Sequence, residues 1–530
     1  MATYGIDLGT TYSCISYVDE SGRPVVLKSE VGDDLTPSVV YFESPDSVVV
    51  GRSAKNTALL HPELVVSLIK RQMGQQVESP YHNQTHTPET ISALILRELA
   101  RAAEQQTGQP VRDVVISVPA YFGVGEREAT RKAGEIAGLR VLNLVPEPVA
   151  AALHYEALSG GGDRTVLVYD LGGGTFDTTV IRLAGNDIRV LCTDGDHHLG
   201  GADWDEKLVD HLVDEFRAAH PDKDPAADEE FLQGLSIDAE QLKKDLSSVQ
   251  SRRPAVRFDG SAVQVEVTQE KFEELTSELF ERTMEITQRT IETARERGVE
   301  RFDDVLLVGG ASRMPVVARE LRARFGFEPR LHDPDLAVAK GAAQFALIES
   351  LKVSLPGETA NGDRINELAV QLGLDSERVG QLVDKTITTV VPRAFGVKVV
   401  DSRNHDRLYV DHLLHANDAL PASAQQRYFT IEDRQTAIKV EIHEQVGAAA
   451  SPELEHNASI GEGMISELPP LAKGSPIDVS FAMDELGNLR VHAVELSTSK
   501  DVHIELQIGG LDPRQVEEAR SAIGKYTVSA

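Results

Sequence analysis

Val168-Tyr169-Asp170-Leu171-Gly172-Gly173-Gly174-Thr175-Phe176-Asp177 decides how this chain is read. An apolar strand pattern runs into Asp-Leu, three glycines turn the backbone, and a Thr leads into a second strand pattern. Near the start, Gly5-Ile6-Asp7-Leu8-Gly9-Thr10-Thr11-Tyr12 has the same plan, and the two aspartates, Asp7 and Asp170, stand 163 positions apart. Glycines let a backbone turn sharply and bring its N–H groups close to an anion. Successive N–H groups in such a turn form an anion nest, and a Thr hydroxyl adds a donor. The aspartate would repel phosphate directly, but it can hold Mg²⁺ or the waters around it. One such turn is as well explained by an ordinary hairpin. Two in the same strand context predict two halves of similar construction that grip the phosphates of a nucleotide between them.

A third segment, Leu306-Leu307-Val308-Gly309-Gly310-Ala311-Ser312-Arg313, runs from a strand through Gly-Gly into a helix start. It suits close approach to a flat ligand, and Arg313 can stack on a purine. No G-x-x-x-x-G-K-[ST], G-x-S-x-G or H-E-x-x-H motif occurs. Around these turns the first 350 residues alternate strand-like runs (Tyr4–Leu8, Val111–Val118, Thr165–Asp170, Val305–Val308) with helical periodicity. Helices are expected over Thr90–Glu104, with Thr87 and Pro88 as N-cap and first position, and as one long helix after Thr268. This alternation predicts an α/β fold.

From about residue 390 the period changes to two: Ile438, Val440 and Ile442; Ile477, Val479 and Phe481; Leu489, Val491 and Ala493; Val502, Ile504, Leu506 and Ile508. Such alternation between turn signals, Leu486-Gly487-Asn488 among them, predicts an antiparallel β-sandwich. Between the two regions lie a polar stretch, Ser354 to Asp363, and two short helical patterns, the second with Asp375 and Ser376 as cap candidates. A last short helix is expected over Pro513–Gly524.

The chain has 530 residues, enough for three or four domains. It has 53 Lys and Arg against 84 Asp and Glu, a net charge of −31, which repels phosphate backbones and anionic membranes and argues against nucleic acid as a partner. No run approaches the length of a membrane span, and the start lacks a secretory pattern. The two cysteines, Cys14 and Cys192, form no disulfide framework. These features predict a cytoplasmic protein with no membrane segment. His197-His198 reads as structural, because neighbours on a strand point to opposite faces.

In these motifs the chain resembles the 70-kilodalton heat-shock chaperone family, the DnaK type. The resemblance rests on GIDLGTTYS from Gly5, VPAYF from Val118, VPEPVAAAL from Val145, VYDLGGGTFDTTV from Val168, GDHHLGGADWD from Gly195, LLVGGASRMP from Leu306 and DPDLAVAKGAA from Asp333. It implies an actin-like two-lobed ATPase domain over 1–350, a helical insertion and linker over 351–389, a β-sandwich peptide-binding domain over 390–510, and a truncated lid over 511–530. It also implies ATP or ADP with Mg²⁺ and K⁺ as ligands, and ATP hydrolysis coupled to binding of unfolded or apolar peptide segments in protein folding. A J-domain co-chaperone and a nucleotide exchange factor are the implied partners.

By the same resemblance, Thr10, Thr11 and Tyr12 line the first phosphate turn, and Gly172, Gly173, Gly174 and Thr175 the second. Asp7 and Asp170 hold the hydrated Mg²⁺. Lys70, Glu147 and Asp177 position the attacking water. Glu240, Lys243, Lys244 and Ser247 meet the purine and ribose from one side; Gly309, Gly310, Ala311, Arg313 and Asp335 meet them from the other. Gly200 and Gly201 approach the phosphates. Val397, Val399, Val400, Tyr428, Ile431, Ile438 and Val440 form the peptide site, unless they are simply the core that any sandwich needs. Pro119, Arg127 and Arg131 correspond to elements that relay nucleotide state.

Three departures from the family pattern stand out: a linker, Lys385 to Val390, with little apolar content; the insertion before it; and a chain that stops where the helical lid begins. Docking so polar a linker is expected to bury little area. Two other readings compete with the chaperone: a nucleotide-dependent interaction module with one dedicated partner, and a small-molecule kinase on the same fold, against which the sandwich speaks.

Overall fold

The structure is a computed structural model and describes residues 3–159, 162–355, 362–401, 403–404, 407–447, 450–485, 487–504 and 511–530. Leu486, Leu506, Ile508, Gly510 and positions 356–361, all used in the sequence reading, lie outside the described residues.

Two six-stranded sheets carry the front of the molecule. The first runs Arg140–Pro146, Asp113–Val118, Tyr4–Asp7, Tyr12–Val18, Pro24–Leu27, with Thr36–Pro37 beside the fourth strand. The second runs Pro329–Leu331, Asp304–Val308, Arg164–Leu171, Phe176–Ala184, Asp187–Asp196, Thr386–Thr388. Their first five strands repeat one plan: two parallel neighbours, then the central strand, then two antiparallel strands. The echo between the two glycine turns is therefore an echo of whole sheets. Helices cover these strands, so they bury both faces and need no polar alternation; every residue of Asp113–Val118 is buried.

Helix Pro88–Thr107 begins as its sequence suggests: Thr87 caps it, Pro88 opens it, and Gly108 closes it at φ 66°. Helices Glu147–Ser159 and Ala337–Ser354 pack against each other and against strands of both sheets. Their contact needs a missing side chain, since a Cβ on Gly341 would sit 1.8 Å from the Ala150 carbonyl oxygen. The single helix expected after Thr268 is two, Gln269–Leu275 and Ser277–Glu296. At the break, Thr276 takes φ −108° and ψ 9° and turns its hydroxyl back onto the Phe272 carbonyl. Cys14 and Cys192 are both buried and unpaired.

Residues 362–383 fold as helices Gly362–Leu372 and Ser376–Val383, with the Asp375 carboxylate accepting from the Arg378 N–H at 2.7 Å. Leu368, Ala369, Val379 and Leu382 are buried in the same apolar cluster as Ile188 and Leu351. The polar linker then joins the second sheet as an edge strand, with Thr386 beside Asp187 and Thr388 beside Arg189. Lys385 secures its start on Glu156 at 2.6 Å. Main-chain pairing attaches it, and Val390, buried, and Ile387, half-buried, pack into the same apolar cluster.

Two four-stranded antiparallel sheets make the sandwich: Leu408–Leu414, Phe395–Val400, Ile438–Gln445, Asn457–Ile465; and Ala422–Phe429, Pro476–Met483, Leu489–Glu495, Lys500–Ile504. The sandwich rests on the front of the molecule. Arg393 lies over the Tyr121 ring at 5.0 Å, reaches Glu126 at 2.9 Å and faces Glu444 at 3.9 Å. The Val124 N–H, at the start of helix Val124–Ile136, donates to Glu444 at 3.3 Å, and the Tyr121 hydroxyl donates to the Gly447 carbonyl at 2.6 Å. This helix carries Arg127 and Arg131.

The closing segment, expected as the stump of a lid, packs on the first half instead. Helix Pro513–Ile523 lies against helices Pro88–Thr107 and Val124–Ile136. Strand Thr527–Ser529 then pairs in parallel with Ser47–Val50. Ile523 and Tyr526 are buried in the same cluster as Phe42 and Ile95. The Tyr526 hydroxyl donates to Gln84 at 2.9 Å, and Arg97 donates to the Ile523 carbonyl. Among the described residues no helix is long and apolar enough to cross a membrane.

Candidate functional site

The two glycine turns meet tip to tip between the sheets. A Cβ on Gly173 would lie 2.1 Å from the Thr11 hydroxyl, and one on Gly174 would lie 2.3 Å from the Thr10 methyl. Only residues without side chains allow this approach. The second turn is tied down from behind: Gly172 donates to Thr175, and Gly201 and Ala202 at the start of helix Gly201–Ala219 donate to the Gly172 and Gly173 carbonyls, at 2.8–3.0 Å. Gly200 passes directly against Gly174.

Beside the turns opens a cleft of about 1060 Å³ that both halves line. Thr10, Thr11 and Tyr12 come from the first half; Gly172, Gly173, Thr175, Gly201, Glu240, Lys243, Lys244, Ser247, Gly309, Gly310, Ala311, Arg313 and Asp335 come from the second. Asp7, Lys70, Glu147 and Asp170 form its floor. Gly174 and Gly200 pack against each other outside the lining, and Asp177 also stands outside it.

The floor is a buried group of acids with one cation. Lys70, 4% exposed, donates to Glu147 at 2.6 Å. Burial, then the Glu147 charge, pushes Asp7 up to about 6, against the pull of Lys70 and of the Ser117 hydroxyl that donates to it at 2.8 Å. Burial and the neighbouring carboxylates of Glu147, Asp177 and Asp7 drive Asp170 well above the usual range. Asp177 is pushed up to about 8 by burial and by Glu147, although the Tyr121 N–H donates to it at 3.3 Å. Carboxylates held above their ordinary values by burial and by one another are short of positive charge. A hard divalent cation with oxygen ligands supplies it, so the donor set fits Mg²⁺, with Asp7 and Asp170 the acids that line the cleft and can hold it.

The mouth is closed by contacts across the halves. Burial opposes the charge of Glu240, but Lys55 and Lys244 hold it down at about 2. The Tyr12 hydroxyl donates to Glu240 at 2.9 Å, Lys244 reaches it at 2.6 Å, and Lys55 closes on it from the first half. In the adjoining cavity, Arg71 donates to the Gly174 carbonyl at 3.0 Å and to Asp203 at 3.1 Å. Lys243 donates to the Gly201 carbonyl and to Asp205, both at 2.7 Å. Lys55, Arg71 and Asp205 are missing from the sequence assignment. Asp205 ends the GGADWD stretch and Arg71 follows Lys70, so both lay within sight; Lys55 sits on the short helix Arg52–Thr57 with no motif around it. Opposite, Arg313 pairs with Asp335 at the rim.

The seven residues read as a peptide site are divided. Val397, Ile438 and Val440 are buried in the sandwich core, with Val399 and Tyr428 packed against it. Val400 is half-buried, and Ile431 is 47% exposed in the loop after strand Ala422–Phe429. Tyr428 donates to Asp411 at 2.9 Å. His197 and His198 lie in a turn past strand Asp187–Asp196, with rings 4.4 Å apart, so strand alternation does not separate them.

A family model for Hsp70 protein matches residues 3–86, 75–355 and 368–527, a span that takes in both halves of the cleft, part of helix Gly362–Leu372, all of helix Ser376–Val383, the sandwich and most of the closing segment. The chain belongs to the Hsp70 family.

Proposed function

We propose that the chain binds and hydrolyses ATP in the cleft and uses the cleft's closure to govern binding of apolar peptide segments by the sandwich. One observation carries the reading: two glycine turns in contact above a floor of charge-starved carboxylates and one buried lysine. The turns supply backbone N–H groups and Thr hydroxyls to the β- and γ-phosphates. Magnesium bound beside Asp7 and Asp170 supplies charge neutralisation for the leaving diphosphate. Lys70, held by Glu147, faces the terminal phosphate, and Glu147 orients the attacking water and accepts its proton. Such chemistry is largely positioning and electrostatics. Glu240, Lys243, Lys244 and Ser247 on one wall, and Gly309 to Arg313 with Asp335 on the other, hold the nucleoside. ATP turnover with and without an apolar peptide tests the reading: Lys70→Ala abolishes turnover, and an unchanged rate refutes it.

A dedicated interaction module is favoured by one observation, that Val397, Ile438 and Val440 are core residues. A peptide array separates the readings. Binding to many Leu/Ile/Val-rich segments supports the chaperone, and a blank array supports the module.

A further inference from the structure

On the outer face of the sandwich, strands Leu489–Glu495 and Lys500–Ile504 run antiparallel, and His492 pairs directly with His503. Their neighbours Val491, Ala493 and Ile504 are buried, so alternation turns both imidazoles and Asp501 outward. Asp501 and His503, two apart on the edge strand, share that face. The imidazoles stack with centroids 4.2 Å apart and planes 16° apart. The Asp501 carboxylate lies 2.7 Å from His492 Nε2 and 3.8 Å from His503 Nε2. Among the described residues, this is the one group of three or more His, Cys, Asp or Glu whose donor atoms gather within 4.8 Å of one another.

We propose that His492, Asp501 and His503 form a surface site for a divalent transition ion of the zinc type. Zn–N and Zn–O bonds of about 2.0–2.2 Å set tetrahedral donor atoms about 3.3 Å apart. The distances of 2.7 and 3.8 Å straddle that value, so rotation of exposed side chains brings three donors onto one ion. Two neutral imidazoles and a carboxylate suit zinc, and poorly suit Mg²⁺ or Ca²⁺, which take oxygen. The fourth position faces solvent beside the exposed His503 and Asp501, so the ion acts as a clamp. It fastens the edge strand Lys500–Ile504 to its neighbour, just before the chain leaves the sandwich for the closing segment. The nucleotide cleft plays no part in this site.

The test uses tag-free full-length protein cleared of metal, titrated with Zn²⁺ by calorimetry and with Co²⁺ by visible absorption. One equivalent binds, and Co²⁺ gives the intense visible bands of a low-coordinate site. His503→Gln and Asp501→Asn each weaken binding at least about 10-fold, comparable to the loss when a metal's supporting partners are removed. Zinc raises the melting midpoint of the parent protein but not of His503→Gln. Absence of saturable zinc binding overturns the proposal, as does binding kept within twofold in both variants. Histidine NMR of the parent protein gives a readout without variants: Zn²⁺ must shift the ring signals of His492 and His503, and shifts confined to other histidines overturn the proposal.

Discussion

Replacing Arg393 by Ala will release the sandwich from the front of the molecule. Arg393 is 5% exposed and bridges two acids, Glu126 at 2.9 Å and Glu444 at 3.9 Å, while covering the Tyr121 ring. Without it, Glu444, itself 5% exposed, loses the cation that favours its charged form. Removing one partner of a buried ion pair costs about 3–5 kcal/mol, and loss of the ring contact adds roughly 1 kcal/mol. Even about 3 kcal/mol lowers the docking equilibrium by roughly two orders of magnitude. The Val124 N–H reports docking directly, because it donates to Glu444 across the interface. In Arg393→Ala its hydrogen exchange should accelerate by about 100-fold, while amides of the sandwich strand Pro476–Met483 keep their protection and show that the sandwich remains folded. Adding Glu444→Gln should restore lost protection only at pH above about 7, where this carboxyl ionises. Unchanged exchange at Val124 in Arg393→Ala would refute the claim that this arginine holds the interface.

Docking should also weaken as pH rises. Burial, offset in part by Arg393, pushes Glu444 up to about 7 in the docked state. The stabilisation is therefore complete below the ordinary carboxylate range and is lost as pH climbs through about 7; Glu444→Gln flattens the dependence, read by intrinsic-rate-corrected exchange at Val124. Gly173→Ala should lower nucleotide affinity at least tenfold by calorimetry, since its methyl meets Thr11 and forces the two turns apart; wild-type affinity would contradict the turn geometry. Tyr526→Ala should destabilise the first half by about 3–5 kcal/mol, as for other large buried side chains, with Tyr526→Phe losing about 1 kcal/mol for its hydroxyl. Denaturant melts check both, and equal midpoints for Tyr526→Ala and the parent would count against the packing.

The sheets and the cleft were legible because their signals are local. Asp-Leu-Gly turns between apolar strands mark both hairpins, and Thr87-Pro88 with Gly108 marks a helix at both ends. The lining residues assigned from Thr10 to Asp335 come together in one cleft. What escaped depends on distant partners. Thr386–Thr388 attaches through its main chain, which side-chain hydropathy does not register. Thr527–Ser529 pairs with a strand hundreds of positions away, and nothing in its composition points there. Thr276 breaks a helix whose apolar stripe continues across it. Arg393, without a motif, becomes an anchor only because Glu126 and Glu444 converge on it. In the sandwich, inward alternation serves core and ligand pocket alike, so Val397, Ile438 and Val440 could not be told apart by pattern.

Strand Thr386–Thr388 belongs to the sheet that carries the Gly172 turn, whereas strand Thr527–Ser529 belongs to the half that carries Thr10 and Thr11. The sandwich is thus moored to opposite sides of the nucleotide cleft, like a load slung between two jaws. A swing of one jaw relative to the other would change the distance between the two moorings.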